Sequence, residues 1–401
     1  MHEDFAAALR ALMAERGISQ RALAPQVPCD RSLICRYASG KQQPSLRMAT
    51  RIDEVLHGGG ALMALAKPGR RAVLTGGLAA FAGPPLLGAL DPDGQDRLAW
   101  SQRHPRAVDQ AVVDSLAAVL AGQRKTEDAL GSAAVIKPVT AQLAAVEDLV
   151  AGARGPLRPA VIDVAMQWSQ FAAWLHISIR DFPAARALCR QTLELATEAG
   201  DATMTTTVLH NLGWTAWLSG EAGPMIGLAS AAQRDPRAAA SERALAADIE
   251  ARGHAMTGDA AAAERKLEEA RDLAAQGRPA RWSYWATPAY FDCMRGAALG
   301  YLAHIDRYRA QAIETLTRGY RSLGPDLAGS EWAAAYLVHR AAVHVRGGDV
   351  AQACADARQV VPVARQTRSA SLRGMLIQLH AQMAARWPAD TRVAELADEL
   401  R

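Results

Sequence analysis

The chain has 401 residues, half of them hydrophobic and only five per cent aromatic, with a formal net charge of +4 at pH 7. That length allows two or more domains with a sizeable core, and abundant Ala and Leu beside few aromatics favour close-packed helices over a sheet, so an all-α fold is expected. Five cysteines, Cys29, Cys35, Cys189, Cys293 and Cys354, lie far apart with no C-x-x-C pair; this excludes a disulfide framework or a zinc site and fits a reducing cytosol.

The positive excess is concentrated at the start, where eleven Lys and Arg face six Asp and Glu within residues 1–71. Phe5, Leu9, Leu12 and Met13 predict a first amphipathic helix. Ser19 then suits the N-cap of a short helix carrying Gln20, Ala22 and Leu23, and Pro25 and Pro28 bracket a turn. Asp30 suits the cap of the next helix, which has Leu33, Ile34 and Tyr37 on its inner face and Arg31, Ser32 and Arg36 outside. Met48, Ile52, Val55 and Leu56 predict a fourth helix, stopped by the glycines of His57-Gly58-Gly59-Gly60. A scaffold helix, a turn, a second helix with a polar outer face and a closing helix are the parts of a helix-turn-helix, here given residues 1–60.

At these residues the stretch resembles the phage-repressor and Cro type of helix-turn-helix, the xenobiotic-response-element family of bacteria. Gln20 falls on the family's helix-opening Gln, Ile34 on the buried aliphatic of the recognition helix, Gly40 on the glycine after it, and Pro44-Ser45-Leu46 on the entry to the fourth helix. The resemblance implies binding to double-stranded DNA, with base contacts from Arg31, Ser32 and Arg36 and backbone contacts from Gln20 and Lys41. Ala38 departs from the family's usual Glu and Pro28 from its usual turn Gly. Cys29 and Cys35 flank the recognition helix and read as small packed residues rather than as a redox switch.

Residues 61–95 read as a linker, in which Arg70-Arg71 precede nineteen uncharged residues, 72–90. A twin-arginine signal belongs at an N-terminus, not after a complete domain. As a membrane span the run is poor, because Ala and Gly bury little apolar area and Pro84-Pro85 breaks a helix near its middle. A hinge or a short packed helix is the expectation, with a membrane-tethered sensor as a minor alternative.

Residues 96–401 read as a series of helix pairs. A small or polar residue followed by an acid recurs at Arg180-Asp181, Gly220-Glu221, Gly258-Asp259, Ile305-Asp306 and Gly348-Asp349, with an apolar helix expected before each and an alanine-rich one after each. The pattern resembles tetratricopeptide repeats, Asn211-Leu212-Gly213 matching the N-L-G of a first repeat helix, and 108–149 is expected to cap the array. Stacked pairs form a solenoid whose concave surface comes from the first helix of each pair. On or near it the turns place Gln167, Gln170, Trp174, His210, Asn211, Trp214, Trp217, Asp248, Arg252, Asp292 and Arg295. Asn211 suits a peptide backbone, and Arg252 or Arg295 a carboxylate; Trp174, Trp214 and Trp217 read as gap-filling bulk ahead of ligand contacts.

The most aromatic stretch, 279–296, holds Trp282, Tyr284, Trp285, Tyr290 and Phe291. Its W-x-Y-W is similar to one in actinobacterial regulators that join this helix-turn-helix to helical repeats, and the Ala- and Arg-rich composition suits such a source. Catalysis finds no support: there is no H-E-x-x-H, no P-loop and no G-x-S-x-G, so no catalytic residue, metal or cofactor is expected. The expectation is a cytoplasmic, DNA-binding transcriptional regulator whose repeats form a homodimer, sense a peptide, small molecule or partner protein, or both. The alternative is a repeat-based protein-interaction scaffold with little specific DNA binding.

Overall fold

The computed structural model describes residues 2–27, 31–42, 44, 46–65 and 109–400, with the side chains of 2–4, 31, 46, 47, 63, 64, 325 and 326 excepted. Among the described residues every regular element is helical, and the chain divides into two compact units, 1–115 and 116–401. The turn at Pro28, Cys29, the Asp30 cap and the apolar run 72–90 lie outside the described residues. Among those described, no helix is long and apolar enough to cross a membrane.

The first unit contains α1 (His2–Glu15), α2 (Gln20–Leu23), α3 (Arg31–Ala38), α4 (Leu46–Val55) and α5 (Ala61–Leu65). Phe5, Leu9, Leu23, Ile34, Ile52 and Leu56 meet in one core, as their spacing predicts, with Leu12, Leu33 and Val55 half-buried against it. Two details differ from expectation. The left-handed position after α4 is taken by His57, φ 50°, rather than by a glycine, and the next amide, on Gly58, closes back on the Asp53 carbonyl at 2.8 Å. The boundary at residue 60 also leaves out α5, whose Leu62 is fully buried in the same core. What holds α5 there is the buried Asp53 carboxylate, which accepts from Gly60 N at 2.6 Å and Leu62 N at 2.7 Å. It satisfies amides that the start of a helix otherwise leaves unpaired.

The second unit begins within α6 (Gln110–Leu130), which is followed by α7 (Ser132–Gly152). Six helix pairs then stack in order: α8 (Arg158–Ser178) with α9 (Phe182–Ala199), α10 (Ala202–Leu218) with α11 (Ala222–Ala232), and α12 (Ala240–Met256) with α13 (Ala260–Ala274). Next come α14 (Pro288–Tyr301) with α15 (Asp306–Ser322), then, after the short α16 (Pro325–Ala328), α17 (Glu331–Gly347) with α18 (Val350–Thr367), and α19 (Ala370–Arg386) with α20 (Thr391–Leu400). The recurring turn has a physical basis at three of its five sites. Asp181, Asp259 and Asp349 are N-caps, each accepting from the amide three residues on, after a left-handed Arg180, Gly258 or Gly348. Glu221 occupies the cap position without a capping bond, and at Ile305-Asp306 the cap is Ile305. Gly200-Asp201, between pairs, uses the same device to start α10.

The helices at 108–149 do more than cap the array. α7 packs on α8 at the start of the array, while the α6–α7 turn reaches α17 and α18: a Cβ on Gly131 would lie 2.6 Å from Thr367 Cβ and 2.9 Å from a Glu331 oxygen. The array therefore curls until its beginning and its fifth pair border one interior space.

Candidate functional site

In the first unit the sequence places α3, the helix expected to be the recognition helix, by burying one face and capping its neighbours. Ser19 Oγ accepts from Ala22 N at 3.2 Å and starts α2, as expected. Arg10 Nη1 donates to the Ala38 carbonyl at 2.5 Å, tying the end of α3 to α1. Ile34, Tyr37 and Ala38 face inward, whereas Ser32 is exposed and Arg36 half-buried. Gly40 adopts φ 69°, which reverses the chain so that Lys41 N bonds to the Arg36 carbonyl at 3.0 Å and leaves Lys41 exposed beside the end of α3. Gln20 opens α2 and is partly exposed. Arg31 begins α3, but its side chain lies outside the described residues. Cys35 is an exposed thiol rather than a packed residue.

In the second unit the curled array forms a cavity that opens to solvent. Its wall comes from the first helix of each pair, α8, α10, α12, α14, α17 and α19, together with the end of α6 and the loop before α14. Of the sequence-derived residues it brings together Gln170, Trp174, His210, Asn211, Trp214, Trp217 and Arg252. It does not bring in four others. Arg295 instead pairs with Glu268 at 3.0 Å, and Asp292 with Arg318 at 2.9 Å. Gln167 is buried against Asp163, and Asp248 is buried off the cavity wall.

The wall is aromatic and its rings touch. Trp214 lies edge-on to Trp174 at 6.1 Å and to Trp217 at 5.0 Å, and Tyr290 packs with Trp285, Trp332 and Tyr336 at 4.7, 5.6 and 6.0 Å. Such edge-to-face contacts hold rings in fixed positions while leaving other faces open to an occupant. Hydrogen bonds fix several of them. Trp217 Nε1 donates to Tyr301 Oη at 2.8 Å, and Trp282 Nε1 to Thr207 Oγ1 at 3.1 Å, which in turn donates to Glu242 at 2.8 Å. At the α6 end Asp128 accepts from Tyr284 and, at 3.4 Å, from Trp332 Nε1.

The charged groups are far less exposed than such groups ordinarily are. Arg252 is completely buried, with its guanidinium 4.5 Å from the Trp217 ring centroid and 5.3 Å from that of Trp214. Burial brings the His210 imidazole down to about 4 and His339 to about 3, the Arg252 charge acting in the same direction on both. Burial pushes the Glu127 carboxyl up to about 8 against the pull of its bond from Ser132, and raises Glu242 as well. Several buried polar atoms have no hydrogen-bond partner: His210 Nε2, Asn211 Nδ2, Glu242 Oε1, and Nε and Nη1 of Arg252. Buried polar atoms are nearly always paired, so their number on this wall is unusual.

Sequence reasoning missed Arg124, Glu127, Asp128, Glu242, Trp332, Tyr336 and His339. For the last three a signal existed: Trp332, Tyr336 and His339 repeat the i, i+4, i+7 spacing of His210, Trp214 and Trp217. For Arg124, Glu127 and Asp128 no signal existed, because they reach the cavity only through the curl of the array. Groups of His, Cys, Asp and Glu suited to a metal ion are absent among the described residues.

No match was found among curated proteins. The family described as a helix-turn-helix domain matches residues 4–66, a span that closes with α5. The chain thus carries an N-terminal helix-turn-helix DNA-binding domain, followed by packed helix pairs.

Proposed function

We propose that the protein is a sequence-specific transcriptional regulator in which α3 reads the DNA major groove and the cavity of the second unit receives a small-molecule effector. The observation that carries this reading is the union, in one chain, of a helix-turn-helix with a cavity whose buried donors and acceptors lack partners. Arg31, Ser32 and Arg36 read base edges, and Gln20 and Lys41 hold the phosphate backbone. The helix pairs are of tetratricopeptide type, a reading supported by lining residues drawn from the first helix of every pair. The regulator acts as a homodimer, because one small helix-turn-helix contacts too few base pairs for useful specificity. It works in the cytoplasm and performs no catalytic step.

The test is a mobility-shift titration of the full chain on its own upstream DNA against a scrambled duplex at one fixed salt concentration. Preference for the upstream DNA, lost in Arg36→Ala, supports the proposal. Equal, weak binding to both duplexes overturns it and leaves the repeat domain as a protein-interaction scaffold.

A further inference from the structure

Among the described cavity residues Arg252 leaves the most side-chain atoms without a hydrogen-bond partner. A guanidinium stays protonated at any physiological pH, and burying it without an anion is costly. Its Nε and Nη1 have no hydrogen-bond partner, and Nη2 reaches only the Met294 sulfur at 3.3 Å. Asp248, one helical turn earlier, makes no hydrogen bond through Oδ2. Burial pushes that carboxyl up to about 8, against the pull of the Arg252 and Arg295 charges.

We infer that the cavity binds an apolar, planar molecule bearing a carboxylate, and that Arg252 is the group that receives the carboxylate. The inference deepens the proposed function and rests on its reading of the cavity as the effector site. Trp214 connects the parts of the binding wall: the Arg252 guanidinium lies over it and the His210 ring is 6.1 Å away. Asn211, beside His210, adds an unpartnered Nδ2 donor. The unpartnered donors of Arg252 and Asn211 outnumber Glu242 Oε1, an unpartnered acceptor available to a hydroxyl or amide elsewhere on the same occupant. Trp174, Trp217 and Tyr290 supply the flat apolar walls.

The opposite choice, an organic cation, fits the same wall less well because the cavity acids already have donors. Asp128 accepts from Tyr284 and Trp332, Glu127 from Ser132, Glu331 from Ser369 and Glu242 from Thr207. The other buried guanidinium, Arg124, has a carbonyl acceptor on Gln167 at 3.5 Å and lies over Phe171. Of these two, Arg252 alone has no hydrogen bond to an oxygen.

The experiment is isothermal titration calorimetry on the full chain at pH 7 with three probes of one shape: 2-naphthylacetate, 2-naphthylacetamide and 2-(2-naphthyl)ethylammonium. The wild type is expected to bind the carboxylate at least tenfold more tightly than the amide and to bind the ammonium weakest. Arg252→Gln should erase the difference between carboxylate and amide while the amide still binds, and Arg295→Gln, whose partner Glu268 lies off the cavity, should keep it. If Arg252→Gln fails to fold, the wild-type comparison decides alone. Equal affinity for carboxylate and amide, preference for the ammonium, or binding of none of the three overturns the inference. Mobility shifts on the same preparations separate the two proposals: specific DNA binding without carboxylate preference removes this one and leaves the regulator, and the converse result removes the regulator.

Discussion

Asp53 shows how one side chain decides where a domain ends. Its carboxylate accepts from two amides at the start of α5, and a Cβ on Gly58 would lie 2.7 Å from Oδ1, so the loop is folded tightly around it. Asp53→Ala should cost about 1–2 kcal/mol locally, the usual loss for a helix cap. Hydrogen exchange of the full chain should show faster exchange at residues 60–65, with Asp53→Asn intermediate; unchanged protection would mean that Leu62 burial alone holds α5. On the DNA side, Arg36→Ala should lose about 1–3 kcal/mol at the preferred site and relax selection at one base pair, while Lys41→Ala should weaken all duplexes alike. A mobility-shift series over single-base variants checks both, and a uniform loss from Arg36→Ala would reassign that residue to the backbone. Ser19 and Gly40 were legible in the sequence because capping and left-handed turns are local and depend on residue type. Asp53 was not, since its partners lie seven and nine residues on and nothing in a helical periodicity marks them.

At the scale of elements, the pairs differ in how closely their helices approach. In α14 and α15 two glycines, Gly296 and Gly319, sit where backbones meet: a Cβ on Gly319 would lie 2.8 Å from Ala289 O and from Cys293 N. Backbone atoms cannot step aside, so Gly319→Ala should destabilise this pair by about 1–3 kcal/mol through overpacking. At the end of α17 a Cβ on Gly347 would instead meet Arg309 Cδ at 2.9 Å, the shaft of a flexible side chain, and Gly347→Ala should change stability by less than about 0.5 kcal/mol. Urea midpoints of the two variants should separate accordingly, and equal losses would show that the neighbouring backbones yield. The helix pairs themselves were readable from the sequence because a turn of small residue and Asp leaves a local mark at Asp181, Asp259 and Asp349. The curl that brings the α6–α7 turn to α17 was not, because it sums small rotations over successive pairs. For the same reason the surface residues Asp292 and Arg295 were legible as belonging to a first helix, but not as turned toward ion pairs with Arg318 and Glu268.

For the molecule as a whole, the buried ionisable groups of the second unit predict a definite pH response. In the unfolded chain the carboxyls of Glu127 and Asp248 lose their protons near pH 4, but folded they keep them to about 8. Between those limits the folded state binds more protons than the unfolded, so stability falls as pH rises and the loss is complete above pH 8. His210 and His339 act oppositely: they titrate near 6.5 when unfolded and near 4 and 3 when folded. Their contribution is fully present above pH 6.5 and is lost as pH falls through that value. From about pH 4.5 to 6.5 these two pairs oppose each other; above 6.5 only the acids remain. Each group contributes at most about 1.4 kcal/mol per pH unit, so the pair should cost on the order of 3 kcal/mol between pH 6.5 and 8. Unfolding in urea, followed by tryptophan fluorescence because the rings line this cavity, should show the midpoint falling over that window. Glu127→Gln and Asp248→Asn should each flatten the fall by about half, and His210→Gln should leave it unchanged while removing part of the loss on the acid side. The carboxylate ligand tests the same groups from another direction. Above pH 8 ionised Asp248 supplies Arg252 with a negative charge on its own helix, so affinity for 2-naphthylacetate should drop there in the wild type and persist in Asp248→Asn. If the wild type and Asp248→Asn lost affinity equally, Asp248 would play no part in controlling Arg252.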